Sequence, residues 1–359
     1  MRNYVLALLA VTMIVIGPMV ALGSYPSPDA EGSTKASGPW DRTEWKRYRN
    51  LDDTYQEIFS LGRNYPSICR VYNLSGMYPY EDSSPRLTYR GRTFWGLKIS
   101  DNPGSNESDE PEVLYISMTH AREWISNEVL MFYINYLLRN YGYNSTVNNV
   151  VNNTQMWFIP VVNPDGFQES IDKDDFNQSG GLQGWRKNCN ETNGMPGFQN
   201  NGSGSGDGVD PNRNFGYEWD SGHSSTDPDN IVYRGSAPFS EPETQIIREL
   251  TEERNFSIAI SYHSFSQLNL YPWAHTTSPA EDDSLLFAIA NKMSEYNGYT
   301  PTKGSSLYPT SGDFNDYMYG TFGIPVFTVE LDTVFIPPLN RISHNCHINL
   351  GVNFLMARL

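Results

Sequence analysis

Four apolar runs in this chain stop at the same kind of place. Glu112 to Met118 stops just before His120, Met156 to Val162 before Asn163, Ser257 to Tyr262 at His263, and Pro325 to Val329 at Glu330. Short apolar runs of this kind read as buried strands. Helical patterns lie between them. Ile125, Val129, Phe132, Tyr133 and Tyr136 share one face after the first run, and Ser240 to Arg254 forms a second helix before His263. Strands alternating with helices build an α/β domain. The expected fold is a single domain with a mixed, mainly parallel central sheet and helices on both faces. Such sheets bind ligands outside the carboxyl ends of their strands. His120, His263 and Glu330 would then gather along one rim, which histidines scattered through a core would not do.

The remaining pattern fits around that sheet. Leu51, Tyr55, Ile58 and Phe59 give a helical stripe ended by Gly62, and Ile68 to Leu74 and Phe94 to Ile99 read as strands. Asn163-Pro164-Asp165-Gly166 reads as a turn. Glu169 to Gly208 shows no apolar period, and a loop of that length in a compact domain is usually functional or disordered. Ser240 and Glu243 form a capping-box signature. Ser278-Pro279-Ala280-Glu281 opens a further helix that Asn297-Gly298 closes, and Asn349 to Met356 reads as the last one.

The N-terminus has the pattern of an export signal over residues 1–23. Arg2 precedes an apolar run from Val5 to Ile16, and Ala21-Leu22-Gly23 offers small residues for cleavage. The alternative is an uncleaved anchor, the only route by which this chain would meet a membrane. Residues 24–43 are rich in Ser, Pro, Gly and charge and read as a linker. The folded domain is expected over 44–359. An extracellular or cell-surface location follows. Eight Asn-x-Ser/Thr sequons, beginning at Asn73, Asn106, Asn144, Asn152, Asn177, Asn190, Asn201 and Asn255, fit export, although an Asn-rich composition also produces them. A formal charge of −16 argues against nucleic acid as a partner, because phosphate binding needs a basic footprint. Cys69, Cys189 and Cys346 allow at most one disulfide, and no Cys-x-x-Cys is present.

His120 and Glu123 sit where a strand gives way to a helix. An imidazole and a carboxylate three positions apart can both reach one small cation. A catalytic zinc takes three nitrogen or oxygen ligands from the protein and keeps a position open for water. His263, at a strand end, is the candidate third ligand. Glu330 is a candidate general base, because a carboxylate after Phe-Thr-Val is an odd choice for a purely structural strand; a buried ion pair is the alternative. His223, His275, His344 and His347 stand in polar contexts and read as surface or outer positions. Calcium is suggested only by acidic clusters such as Asp172 to Asp175, which read more simply as solvated loop.

Six motifs occur in one order: His120-Ala-Arg-Glu-Trp-Ile-Ser, Trp185-Arg-Lys, Val209-Asp-Pro-Asn-Arg-Asn, His263-Ser-Phe-Ser-Gln, Tyr308-Pro-Thr-Ser-Gly and Thr328-Val-Glu-Leu. From about Tyr48 to the C-terminus the chain resembles the zinc carboxypeptidases of the carboxypeptidase A type. The stretch Ser311 to Gly320 looks most like the bacterial carboxypeptidase T branch. The resemblance implies one zinc ion held by His120, Glu123 and His263, with Glu330 as the base that activates water. It implies that Arg186 polarises the scissile carbonyl and that Asn212, Arg213 and Tyr308 clamp the free carboxylate of a peptide or protein C-terminus. Arg122 resembles a residue further along the substrate path, and Asp210 is a candidate hydrogen-bond partner for a zinc histidine. Trp124 reads as core. A monomer is expected.

Asn315 stands at the base of the side-chain pocket, where digestive relatives carry an aliphatic residue or an Asp. Asp313 is close by and could supply charge, so apolar and aromatic C-terminal residues are expected first and basic ones second. Three rivals remain at this level. They are an amidase acting on cell-wall peptides, a catalytically silent binding module that keeps the fold, and a calcium-stabilised adhesion protein.

Overall fold

The structure, a computed structural model, describes residues 47–174, 184–192, 194 and 206–359. The expected signal, the linker, Asp175, Asn177 and Asn201 lie outside the described residues.

Eight strands form one sheet: β1 Cys69–Asn73, β2 Trp95–Ile99, β3 Glu112–Ile116, β4 Gln155–Ile159, β5 Phe256–Ser264, β6 Leu268–Tyr271, β7 Thr300–Lys303 and β8 Val326–Leu331. Their order is β1-β2-β4-β3-β5-β8-β6-β7. The central four, β4, β3, β5 and β8, are parallel; β2 and β6 join them antiparallel on either side, β1 is antiparallel to β2, and β7 runs parallel to β6. Every residue of β3 and β4 is buried, as parallel strands covered on both faces should be. The chain passes from β3 to β4 on one side and from β4 to β5 on the other. That reversal is the place where an open α/β sheet makes a crevice at its carboxyl rim.

Right-handed crossovers of opposite direction put helices on both faces. On one face lie α1 (Leu51–Asn64), α2 (Trp124–Asn140), α6 (Asp283–Asn297) and α8 (Ile342–Met356); the intervening helices are α3 (Ser145–Val151), α4 (Pro164–Asp172), α5 (Pro242–Glu253) and α7 (Phe314–Phe322). Tyr133 and Tyr136 of α2 meet Phe354 of α8 edge-on, with ring centroids 5.4 and 5.9 Å apart. On the other face α5 and α7 touch through the Thr251 hydroxyl and the Met318 sulfur.

Several helix ends depart from the sequence pattern, each for a visible reason. Gly62 does not end α1 but lies inside it. A Cβ there would come within 2.8 Å of Val71 Cγ2, so the glycine lets the helix close onto β1. Asn163-Pro164-Asp165-Gly166 is the start of α4, not a free turn. Asn163 Oδ1 accepts from the Gly166 N–H at 2.9 Å, and Pro164 takes the first helical position. Helix α6 begins at Asp283, five residues past the Ser278 signal, because the Asp282 N–H is already donated to the Tyr319 hydroxyl. Helix α8 begins at Ile342, well before Asn349. Its first turns bury Asn345, whose amide donates to Asp332, and that polar residue hides the apolar period. The three cysteines are buried and unpaired, so the allowed disulfide is absent.

The expected capping box of α5 also fails to form. The Ser240 hydroxyl donates to Glu241 Oε1 at 2.7 Å, and Glu241 takes the cap position. Glu241 and Glu243 are both 1% exposed and share the Asn188 amide. Burial, then repulsion from Glu241, pushes the Glu243 carboxyl up to about 8 from an ordinary 4.5. A folded-state value above the unfolded one favours folding fully below about 4.5, and this stabilisation is lost as pH rises through about 8. Glu243→Gln, which is neutral throughout, is therefore expected to flatten the decline of the thermal midpoint between pH 5 and 8. An unchanged pH profile would show that Glu243 is ionised in the fold.

Candidate metal centre

The loop after β3 is tied down on all sides. The Ser117 hydroxyl donates to the Pro160 carbonyl at 2.6 Å, and the Met118 N–H donates to Ser126 Oγ at 3.1 Å. The Ala121 N–H reaches the Arg186 carbonyl at 3.1 Å, and Asn163 Nδ2 donates to the carbonyls of Thr119 and Lys187. Trp124 is core, as expected, and its indole N–H donates to Ala121 and Ser170. His120 and Glu123 are thus held at the carboxyl rim before any ligand arrives.

His263 comes to them from β5. Its Nδ1 lies 3.1 Å from His120 Nδ1 and 2.8 Å from Glu123 Oε2, while His120 Nδ1 lies 2.8 Å from Glu123 Oε1. All three side chains are at least 96% buried. The Ser264 N–H also donates to Glu123 Oε2 at 3.2 Å. Burial alone would raise the Glu123 carboxyl, but the two imidazoles hold it well below the usual range. His120 Nδ1 and His263 Nδ1 each face a different oxygen of Glu123. One ligand atom from each of the three residues lies within 4.8 Å of the others.

These residues fit a zinc ion. Two imidazoles and a carboxylate are a catalytic zinc donor set, and tetrahedral Zn–N bonds of about 2.0–2.1 Å put ligand nitrogens about 3.3 Å apart. The observed 3.1 Å is close to that. Among the described residues one other acidic group could gather round a cation, Asp101 with Glu107 and Glu110. It is oxygen-only and half-exposed, and such clusters are common without an ion. Asp172 to Asp174 form no such group.

Asp210 links the zinc site to Arg186. Its Oδ1 lies 3.1 Å from His120 Nε2 and accepts from the Asn212 N–H at 2.9 Å; its Oδ2 accepts from Arg186 Nε at 2.9 Å. Burial opposes the charge on Asp210, but Arg186 and His120 hold its carboxyl well below the ordinary range. The tie to Arg186 was not legible in the sequence. Asp210→Asn is expected to weaken zinc binding by about 10- to 100-fold, the range for lost outer partners of a ligand. It should also lower the thermal midpoint, since buried Arg186 loses its counter-charge. A competition titration with a zinc chelator measures the first, and an unaltered affinity would mean that Asp210 does not orient His120.

Glu330 of β8 is the direct register partner of His263 of β5. Buried surroundings, then Glu123, push its carboxyl up to about 8 against the pull of His263, Arg186 and Arg213. Arg213 is 3% exposed; its Nη1 donates to the Asn212 carbonyl, and its Nε has no hydrogen-bond partner among the described residues. The guanidinium lies 6.0 Å from the ring of Tyr308, which is 49% exposed. Asn212 Oδ1 accepts from the Phe314 N–H. Arg122 stacks 3.9 Å over Phe335, a partner the sequence did not suggest. Arg213, Tyr308, Asp313, Asn315 and Glu330 line one cavity. His275 pairs with Asp316, His347 Nδ1 bonds the Ser343 carbonyl, and among the described residues neither His344 nor His347 belongs to a group that could hold a metal ion.

The zinc carboxypeptidase family model matches residues 55–351. Carboxypeptidase B of Astacus astacus is 29% identical over 313 residues, covering 83% of this chain and 92% of that protein. A zinc carboxypeptidase of Saccharothrix mutabilis subsp. capreolus is 30% identical over 296 residues, 79% of this chain and 62% of that protein. The fold matches the thrombin-activatable fibrinolysis inhibitor with a TM-score of 0.74 at 24% identity, covering 87% of this chain and 74% of that one. It matches carboxypeptidase A from Helicoverpa armigera at 0.72 and 22%, covering 90% and 77%. The likeness to the carboxypeptidase T branch rests on the Ser311–Gly320 stretch alone. The chain belongs to the zinc carboxypeptidase family and is a zinc-dependent metallo-exopeptidase that hydrolyses C-terminal peptide bonds.

Proposed function

We propose that this enzyme is exported and releases single C-terminal residues from peptides and proteins outside the cell, with Glu330 as general base. Residues 1–23 would direct export and be removed, 24–43 would serve as linker, and 44–359 would be the catalytic domain. The observation that carries the catalytic part is the meeting of His120, Glu123 and His263 within hydrogen-bonding distance of one another, with Glu330 as the strand partner of His263.

Zinc, when bound, supplies the Lewis acidity that polarises a carbonyl and acidifies water. The chain's own residues do the rest. Glu330 takes the proton of the attacking water and delivers it to the leaving amine. Arg186, fixed by Asp210, offers a buried positive charge where the carbonyl oxygen becomes negative, a placement worth about 3–4 kcal/mol of barrier. Arg213, with Asn212 and Tyr308, holds the terminal carboxylate; a guanidinium binds it bidentately. An internal bond has no such carboxylate to offer, and this makes the enzyme an exopeptidase. Arg122 guides the chain upstream of the scissile bond.

The test compares matched peptides with free and amidated C-termini, with and without a zinc chelator. Release of the last residue from the free peptide only, abolished by chelation and restored by zinc, is expected. Equal cleavage of the amidated peptide would favour an amidase acting on other bonds and refute the carboxylate clamp. Export is tested by N-terminal sequencing of the protein recovered outside the cell; a mature chain beginning at Met1 would refute cleavage after residue 23.

A further inference from the structure

Lys187 follows Arg186 directly, yet the reaction outlined above gives it no task. Its side chain is fully buried. Its Nζ donates to three main-chain carbonyls, those of Gly206 at 2.6 Å, Pro228 at 2.8 Å and Asn230 at 3.0 Å. An ammonium carries three N–H donors and no acceptor, so this set is complete. Burial draws the group down to about 8 from 10.5, while Asp210, Asp229, Asp207 and Asp227 favour its charge. It is therefore an ammonium ion at neutral pH. Its three partners belong to two stretches of loop. Carbonyl oxygens brought to one point repel each other, and a cation at their centre reverses that balance. Converging carbonyls are otherwise a mark of a bound metal ion; here a tethered ammonium fills the place.

Both stretches lead to the site. Gly206 stands four residues before Asp210 and seven before Arg213. The Asn230 carbonyl also accepts from the Tyr233 N–H at 3.1 Å, and the Tyr233 carbonyl accepts from the Asp210 N–H at 2.9 Å. Asp210 in turn holds Arg186 Nε and reaches His120, and its own carbonyl accepts from the Arg213 N–H at 3.0 Å. Next to Lys187, Asn188 grips Val209 twice: its N–H donates to the Val209 carbonyl at 3.0 Å, and its Oδ1 accepts from the Val209 N–H at 2.8 Å. The segment that carries Asp210 and Arg213 is thus anchored from behind by Lys187.

We propose that Lys187 is a positioning residue for the hydrolysis: its ammonium, acting as a fixed internal cation, gathers the carbonyls of Gly206, Pro228 and Asn230 and so sets the placement of Asp210, Arg186 and Arg213. The proposal rests on the exopeptidase reading above and adds the group that fixes the carbonyl-polarising arginine relative to the carboxylate-holding one. Without the cation, three carbonyls lose a charged donor and the two stretches lose their common centre. A misplacement of about 1 Å, even from a change far from the chemistry, can cost about 100-fold in rate.

The test uses the zinc-loaded full chain, with zinc measured on every sample, and a peptide with a free C-terminus. Lys187→Ala is expected to lower kcat/KM by about 100-fold. The loss should divide between a higher KM and a lower kcat, because Arg213 and Arg186 both shift. Methylammonium chloride should then raise kcat/KM by about 10-fold, short of full recovery because an untethered ion gives up its own freedom of movement. Tetramethylammonium chloride, which has no N–H to donate, should do nothing. Lys187→Met fills the space; it should show the same loss with no response to methylammonium, and it is the variant to read if the Ala variant does not fold. A second buried lysine is the control. Lys98 donates to the Ser105 carbonyl and to Gln155 Oε1, at the amino end of β4 and away from the carboxyl rim. Lys98→Met should lower the thermal midpoint and leave kcat/KM near wild type. A folded, zinc-loaded Lys187→Met enzyme with wild-type kcat/KM, an equal loss in Lys98→Met, or a folded Ala variant that methylammonium does not restore would overturn the proposal. Wild type that cleaves free and amidated peptides equally would instead refute the carboxylate clamp, and Lys187 would then be judged on the kcat loss through Arg186 alone.

Discussion

Glu330→Gln is expected to reduce kcat/KM on a good C-terminal substrate by about 10²- to 10⁴-fold, the contribution of a positioned general base. The variant keeps the size and the hydrogen-bonding shape of the side chain and removes its ability to take a proton. Glu330 stands beside His263 in strand register but donates to and accepts from none of the three proposed ligands in the structure. Zinc content and the thermal midpoint should therefore stay near wild type. The substitution leaves the proposed carboxylate clamp untouched, so KM should change little and the loss should fall on kcat. Single-turnover release of the C-terminal residue, with zinc measured on the same sample, checks all of this together. Activity within about threefold of wild type, far short of a base's contribution, would mean that another group accepts the proton.

His263→Ala is expected to have the largest effect on metal binding. It removes one of three converging ligands and takes from Glu123 Oε2 a partner at 2.8 Å. Loss of outer partners alone costs about 10- to 100-fold in metal affinity, so loss of a ligand should cost more than about 100-fold. The readout need not be activity. Zinc at about 100 times its dissociation constant adds about 2.7 kcal/mol to the stability of a protein that binds it only when folded. Wild type should therefore show a clear rise in thermal midpoint on adding zinc, and His263→Ala almost none at the same concentration. An equal rise in both would place the ion elsewhere, with Asp101, Glu107 and Glu110 the first alternative to examine.

The rim of this sheet was legible in the sequence for a physical reason. A buried parallel strand must be apolar along its whole length, so the residue at which the run stops is marked by contrast. His120, His263 and Glu330 all stand at such stops, and the structure brings His120 to His263 and pairs His263 with Glu330. Helix starts were less legible, because the residues that cap helices also make turns and bond to neighbours. Asn163 looked like a turn and is a cap; Ser240 looked like a cap, but its hydroxyl goes to Glu241. The pocket was least legible. Thr328 reads as one more β-branched strand residue, yet its hydroxyl bonds the side chain of Asn315, 13 positions earlier in the chain. Asp313 reads as free charge, yet its two oxygens are consumed by Asp316 and Thr310. Contacts of this kind depend on how α7 packs against β8, and no local pattern records them.

Diffraction from crystals of the zinc-loaded protein, measured on both sides of the zinc absorption edge, bears most directly on the arrangement as a whole. The expected result is one strong anomalous peak per chain, about 2.0–2.2 Å from a nitrogen of His120, a nitrogen of His263 and an oxygen of Glu123. A peak that leaves out any one of these three residues, or that lies at the Asp101 cluster instead, would contradict it.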